Sequence, residues 1–279
     1  MLSISLLPED ALLEIFSLVP PLDLIHRCRP VCSQWRDVID SSTLWKTICQ
    51  RMGLIPQNWI RPPRDWKKYY YLRSRRRNLL KNACANEELK FWKLESNGGD
   101  RWKVEDLPGE HGQPFPDDTV TKYFVTSYEM CLKSQLIDLR KTGYNKELMD
   151  RDQPDIAVRD WFAARADCGC QYEVEVQLLS EGKRVLHKFS PETVLIPQWS
   201  DAMWQEMTHT FRNYGPGVRY VYFRHGGKDT QWWAGWYGIR VTSSSVTVEP
   251  EDLTAQPAAP PSVSQCVDKK KKKTKKKKN

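Results

Sequence analysis

The stretch Val218-Arg219-Tyr220-Val221-Tyr222-Phe223-Arg224-His225, followed by Gly226-Gly227-Lys228-Asp229 and Thr230-Gln231-Trp232-Trp233-Ala234-Gly235-Trp236-Tyr237-Gly238, decides how the chain reads. The first part alternates in the two-residue period of a strand. The glycines and Asp229 signal a turn, and alternation resumes at Arg240-Val241-Thr242. Three tryptophans and a tyrosine therefore crowd the connection between two strands. Trp236 and Tyr237, bracketed by glycines, are expected in the core, where each ring can bury ~150–250 Å². Trp232 and Trp233 are neighbours, so an extended chain sends them to opposite faces. One is expected inside and the other outside, and an outward indole on a rigid sheet is a candidate binding platform.

Working outward, short extended runs recur from about Glu88 to Val248 with turn residues between them. They include 91–95, 101–105, 122–128, 132–139, 156–162, 172–179, 184–189, 193–196, 203–211, 218–225 and 241–248. The runs 91–95 and 101–105 flank Asn97-Gly98-Gly99-Asp100 and read as a hairpin-like pair. Tyr144 to Met149 reads as a helix. About ten strands over ~160 residues predict an antiparallel sandwich or jelly roll. Loops remote in sequence then converge at one end of it.

Upstream the period is helical. Leu7-Pro8-Glu9-Asp10 suits a helix start, with Pro at the first position and acids at the positive end of the dipole. Leu12, Ile15, Phe16 and Val19 fall on one stripe. A short helix with Leu22, Leu24 and Ile25 follows, then an amphipathic one with Val31, Trp35, Val38 and Ile39 on a face. Ser41 or Ser42 caps a fourth, over Thr43-Leu44-Trp45-Lys46 to Arg51. So leucine-rich a unit of about 45 residues has more apolar face than it can bury alone, which points to a partner site. Residues 52–87 are expected to be a helical linker. Its run Lys67-Lys68-Tyr69-Tyr70-Tyr71-Leu72-Arg73-Ser74-Arg75-Arg76-Arg77 reads as a solvated helix with an apolar stripe, in preference to a nucleic-acid site.

The net charge of +8 is misleading. Nine lysines at 269–273 and 275–278, against Asp268, account for all of it and leave the rest of the chain near neutral. The tail, taken as 251–279, is expected to be disordered, with a nuclear-localisation or anionic-surface role as the functional reading. No run approaches the ~18–20 apolar residues of a membrane span. Met1-Leu2-Ser3-Ile4-Ser5 lacks the regions of a signal peptide. The eight cysteines are therefore expected to be reduced thiols of the cytosol or nucleus. Cys168-Gly169-Cys170 lacks zinc-knuckle spacing, so neither metal nor cofactor is expected.

Two resemblances follow from these residues. Leu7-Pro8-Glu9, Leu12-Leu13-Glu14-Ile15-Phe16, Leu24, Arg29, Val31-Cys32-Ser33-Gln34-Trp35-Arg36 and Leu44-Trp45 resemble an F-box over 1–51. Asn97-Gly98-Gly99-Asp100-Arg101-Trp102-Lys103-Val104-Glu105, Tyr123-Phe124-Val125-Thr126-Ser127-Tyr128, Asp160-Trp161-Phe162-Ala163-Ala164-Arg165, Asp167-Cys168-Gly169-Cys170, Tyr214-Gly215-Pro216-Gly217-Val218-Arg219 and His225 through Gly238 resemble the F-box-associated domain of the sugar-recognising F-box proteins, over 88–250. The resemblance implies an α+β multidomain chain: a helical F-box, a helical linker, a ten-stranded antiparallel β-sandwich and the basic tail. It implies docking on a Skp-type adaptor of a cullin-RING ubiquitin ligase through Leu7, Pro8, Leu12, Ile15, Phe16, Val31, Trp35, Leu44 and Trp45. It further implies a non-catalytic, cytoplasmic receptor for misfolded N-glycoproteins in ER-associated degradation. Tyr128, Asp167, Trp232 and Trp233 would hold the chitobiose core of high-mannose glycans. The family's usual Tyr-Trp pair is Trp-Trp here, and a lysine of the best binder is Ala234. Recognition of a protein surface is the alternative. A glycan hydrolase using a pair among Asp160, Asp167 and Asp229 is the remote one.

Overall fold

The structure is a computed structural model and describes residues 7–254. The Lys-rich run expected to be disordered lies outside those residues. Four helices and a three-residue turn of helix make the N-terminal module: α1 (Glu9–Leu18), α2 (Pro21–Asp23), α3 (Ser33–Asp40), α4 (Ser42–Arg51) and α5 (Trp66–Ser74). α2 runs on into a π-helical turn at Leu24–Cys28. Ser41 caps α4 by accepting from the Leu44 N–H at 3.3 Å, and Asp65 caps α5 by accepting from Lys67 and Lys68. Leu12, Phe16, Leu24, Ile39, Leu44, Trp45 and Ile48 form the interior, and Trp45 Nε1 donates to the Ile39 carbonyl at 2.7 Å.

Helix α5 is not the solvated linker expected of it. Trp66, Tyr69 and Tyr70 join the core of the helical module, while Leu72, Leu79, Leu80 and Ala85 join the core of the sandwich. Residues 52–87 are thus shared between two interiors, because their aromatic and leucine side chains are too apolar to face water. The basic residues around α5 are used internally. Lys67 pairs with Asp40, Lys68 with Asp152 and Arg76 with Glu249, and Arg77 donates to the Thr142 carbonyl.

Among the described residues the sandwich has eleven strands: β1 (Lys93–Asn97), β2 (Lys103–Asp106), β3 (Lys122–Val125), β4 (Cys131–Asp138), β5 (Asp155–Ala163), β6 (Cys170–Leu179), β7 (Val185–Phe189), β8 (Val194–Ile196), β9 (Gln205–Phe211), β10 (Tyr220–Asp229) and β11 (Arg240–Glu249). All pairings are antiparallel. One sheet has the order β1-β4-β10-β6-β7, with β8 also on β6, and the other β2-β3-β11-β5-β9. The expected pair around Asn97-Gly98-Gly99-Asp100 is therefore no hairpin: β1 belongs to one sheet and β2 to the other. The same holds for β10 and β11. The segment expected to be helical, 144–149, contributes its end to a π-helical turn at Leu148–Asp152.

Gly226-Gly227-Lys228-Asp229, expected to be a turn, is strand: β10 runs through it as the central strand of its sheet, and Gly226 and Gly227 allow the close approach of its neighbours. A Cβ on Gly226 would sit 2.0 Å from the Cys131 carbonyl oxygen of β4, and one on Gly227 1.8 Å from that of Gln171 on β6. Between the sheets lie Phe124, Phe162, Tyr172, Val176, Val221, Phe223, Val241 and Val246. Phe162 and Tyr172 stack across the gap with centroids 4.0 Å apart.

Residues 251–254 correct the reading of the tail as starting at 251. After β11 the chain crosses to the helical module, where Leu253 is 1% exposed in its core. The Ile60 N–H donates to the Leu253 carbonyl at 2.9 Å, and Arg61 pairs with Glu251 at 2.9 Å. Leucine at 253 buries apolar surface that a polar tail could not.

Candidate functional site

Five connections meet at the end of the sandwich away from the helices: 98–102, 126–130, 164–169, 197–204 and 230–239. Each one carries the chain from one sheet to the other. Hydrogen bonds tie them together around the 230–239 loop. The Ser127 hydroxyl donates to the Gly235 carbonyl at 2.7 Å and accepts from the Asp100 N–H at 2.9 Å. Asp100 in turn accepts from the Gly235 N–H at 2.6 Å. Gly169 N–H donates to Gln231 Oε1 at 2.8 Å, and Thr230 N–H to the Gly169 carbonyl at 3.0 Å. Trp236 Nε1 donates to the Arg101 carbonyl at 3.1 Å.

Asp229 anchors the aromatic loop. Its buried carboxylate accepts from the Trp232 N–H at 2.7 Å, closing a short turn that holds Trp232 at φ +62°. A non-glycine residue there is strained, and the cost is borne where the ring is presented. Burial pushes the Asp229 carboxyl above its usual range, against the opposing pull of the turn's N–H groups.

Neither tryptophan is inside. Trp232 is 63% and Trp233 42% exposed, so the expectation that one of them is core does not hold. The turn at Asp229 breaks the extended alternation on which that expectation rested. Trp236 and Tyr237, expected in the core, are half-buried.

The two indoles serve different surfaces. Trp232 borders a hollow lined by Ser96, Asn97, Gly98, Glu129, Met130 and Lys228, with the Lys228 ammonium 4.6 Å from its ring centre. Trp233 meets Tyr237 edge-to-face at 5.7 Å, and the Arg165 guanidinium lies 4.8 Å from the Tyr237 ring. Arg165 then grips Asp167 with two hydrogen bonds of 2.9 and 3.1 Å. Those bonds hold the Asp167 carboxyl below the usual carboxylate range, and His111 stands 3.7 Å from it.

Of the four residues expected to form the site, Trp233 and Asp167 are linked by this chain of contacts. Tyr128 is half-buried beside Gly99, and no ring contact joins it to either tryptophan among the described residues. Arg165 and Lys228 were not singled out by the sequence reading, and Tyr237 was read only as core. Arg165 sits two residues from Asp167 in a strand-to-loop corner, a spacing that could have marked it.

The other carboxylates considered for hydrolysis are committed elsewhere. Asp160 is fully buried between the sheets and Asp229 holds its turn. Cys168 and Cys170 are buried, and burial raises both thiols, Cys168 to about 12.

In the helical module Leu12, Phe16, Leu44 and Trp45 are buried in its own core, which corrects their assignment as surface contacts. Trp35 and Leu7 are half-buried, whereas Pro8, Ile15 and Val31 are exposed, as are Leu18 and Leu22. The apolar side chains left exposed on these helices include Ile15, Leu18, Leu22 and Val31.

Comparison with known proteins agrees with this geometry. The model of the F-box associated region matches residues 70–248, and an F-box-like model matches 4–51. This chain belongs to the F-box-associated family. It is 59% identical over 249 residues to F-box only protein 6 of Homo sapiens, covering 89% of this chain and 85% of that one. It is 57% identical over 263 residues to F-box only protein 6 of Bos taurus, covering 92% and 99%. With F-box only protein 44 of Mus musculus the identity is 57% over 248 residues, covering 89% and 97%. The family match beginning at residue 70 coincides with the entry of Leu72, Leu79 and Leu80 into the sandwich core. Among the described residues no helix is long and apolar enough to cross a membrane.

Proposed function

We propose that this protein is the substrate-recognition subunit of an SCF-type cullin-RING ubiquitin ligase. Its helical module docks on a Skp-type adaptor, and the loop end of its sandwich binds the chitobiose core of high-mannose N-glycans on misfolded glycoproteins, marking them for ER-associated degradation. The observation that carries the glycan reading is the exposed Trp233 ring backed by Tyr237, beside the Asp167 carboxylate that Arg165 holds in place. A neutral sugar offers apolar C–H faces and hydroxyl donors. A fixed ring and a fixed acceptor are what such a ligand needs. We assign Trp232 and Tyr128 to the same ligand as outer contacts that stand apart from the chain of contacts joining Trp233 to Asp167. The site is shallow and open to water, so single-site affinity is modest and specificity comes from hydrogen-bond geometry.

The role is one of binding without chemistry, in the cytoplasm, with a nuclear pool through the Lys-rich tail. The adaptor reading rests on the exposed Ile15, Leu18, Leu22 and Val31. Retention of the full chain on immobilised chitobiose tests the glycan reading. Trp233→Ala removes retention; an unchanged elution volume refutes it. Recognition of a protein surface is the second reading, favoured by Ala234 where the best binder has a donor. Binding to a misfolded substrate that survives enzymatic deglycosylation would select it.

A further inference from the structure

Among the described residues Trp199 is the most exposed of the large apolar side chains, at 76%, and it too stands at positive φ, +67°. It lies in the 197–204 connection, at the same end of the sandwich as Trp232 and Trp233. Its N–H donates to the Ala166 carbonyl at 2.8 Å, and the side chain of Gln198 donates to the Asp167 carbonyl at 2.9 Å. On the other side of this strip, Gly169 is bonded to Thr230 and Gln231. The strip is clamped between the two loops: a Cβ on Gly169 would meet Thr230 Oγ1 at 2.7 Å and the Gln198 N at 2.9 Å. The 166–169 backbone thus runs between two tryptophan-bearing loops, with Asp167 on it. Two neighbouring-strand spacings separate the loops, roughly 10 Å.

An indole so exposed, at a strained backbone conformation, is a liability unless something covers it. The backbone around Trp199 is set among hydrogen-bonding groups. Ser200 and Asp201 follow Trp199, the Gln113 amide donates to the Asp201 carbonyl, Asp167 lies on the adjoining strip, and the His111 carbonyl accepts from the Ala166 N–H of that strip at 2.9 Å. A single ring set among polar groups suits the C–H face of a sugar better than an apolar peptide.

We infer that Trp199 is the outer wall of the ligand site, stacking on sugar residues beyond the two that occupy Trp233 and Asp167. The site then reads an oligosaccharide lying across the 166–169 strip. This rests on the glycan reading above, and the test separates the two.

The experiment compares the full chain with Trp199→Ala by calorimetric titration of two probes, N,N′-diacetylchitobiose and a high-mannose oligosaccharide ending in it. The inference requires the long probe to weaken about tenfold, the effect of losing one good ring contact, and chitobiose to stay within twofold. Equal weakening of both, or no change in either, overturns it. Loss confined to glycopeptides, with the free oligosaccharide unaffected, also overturns it by assigning Trp199 to polypeptide. If the unaltered chain binds neither probe, it is the glycan reading that fails. Trp199→Gly guards against misfolding, since glycine accepts φ +67°. It should lose the long probe to the same degree with its melting temperature unlowered.

Discussion

His225 Nδ1 lies 2.6 Å from Asp160 Oδ2 in the middle of the sandwich, joining β10 of one sheet to β5 of the other. The same carboxylate accepts from Tyr172 at 2.5 Å and from Ser244 at 2.7 Å. His225 Nε2 faces the Lys133 amine, which sits over Trp92 at 3.8 Å and Phe124 at 4.0 Å. With Nδ1–H donating to Asp160, Nε2 is left as the acceptor for Lys133. Burial pushes the lysine well below its ordinary range and the imidazole to about 4.

Acid should therefore loosen the sandwich. The unfolded imidazole takes a proton near pH 6.5, whereas the folded one resists down to about 4. The unfolded state binds more protons in that window, so stability is full above it and falls as pH drops from 6.5 towards 4. The loss attributable to His225 is on the order of 3 kcal/mol. Urea unfolding at pH 7.5, 6 and 5 reads it. His225→Leu should be less stable at pH 7.5 and show a shallower decline; a decline as steep as the parent's would exclude the histidine as its cause.

Leu253 makes the C-terminal boundary measurable. A chain ending at 254 should keep the stability of the full protein. Leu253→Ala should cost the helical module about 2–5 kcal/mol, the usual range for a buried leucine. Thermal unfolding followed by Trp45 and Trp66 fluorescence would register the difference. Equal melting of the Leu253→Ala and parent chains would show that the contact contributes nothing.

Ser127 supports the aromatic loop from beneath. Ser127→Ala removes the donor to Gly235 and the acceptor for Asp100, at a cost of about 1–3 kcal/mol. Amide exchange at Gly235 and Trp236 should accelerate, with exchange in β5 and β9 unaffected. Uniform acceleration across both sheets would count against a local role.

On the helical module the exposed and buried leucine-class residues should separate cleanly. Ile15→Asp or Val31→Asp should abolish co-purification of a Skp-type adaptor while leaving the melting temperature within a degree or two. Leu12→Asp should unfold the module, because it places an unpaired charge in a closed core. Retained co-purification in both surface variants would move the adaptor contact elsewhere.

Most strands and the cap at Ser41 follow from local chemistry and are legible in the sequence, whereas the turn expected at Gly226-Gly227-Lys228-Asp229 is strand and the chain turns only after Asp229. What was not legible is pairing across distance. Asn97-Gly98-Gly99-Asp100 carries hairpin chemistry, yet it joins two sheets, because β4 and β3 compete for the edges of β1 and β2. Helical periodicity placed Leu12, Ile15 and Phe16 on one stripe but could not say that Leu12 and Phe16 face inward while Ile15 faces out. Around the candidate site, the sequence singles out Trp232 and Trp233 but does not show that both stay exposed. Trp199 was missed because its exposure depends on a backbone bond to Ala166, 33 positions earlier in the chain.

The strap at 251–254 leaves the helical module fastened at both its exit and its return, with β10 and β11 separating it from the aromatic rim by roughly 30 Å at strand rise. A carrier built this way behaves as a rod and not as a tether. In the proposed ligase role, whatever the rim grips is held at a set bearing from the docked adaptor, so the acceptor lysines within range are chosen by geometry before any chemistry begins. Exchanging rims between relatives would then require grafting the α5 segment and the 251–254 strap along with the sheets, or the rod becomes a hinge.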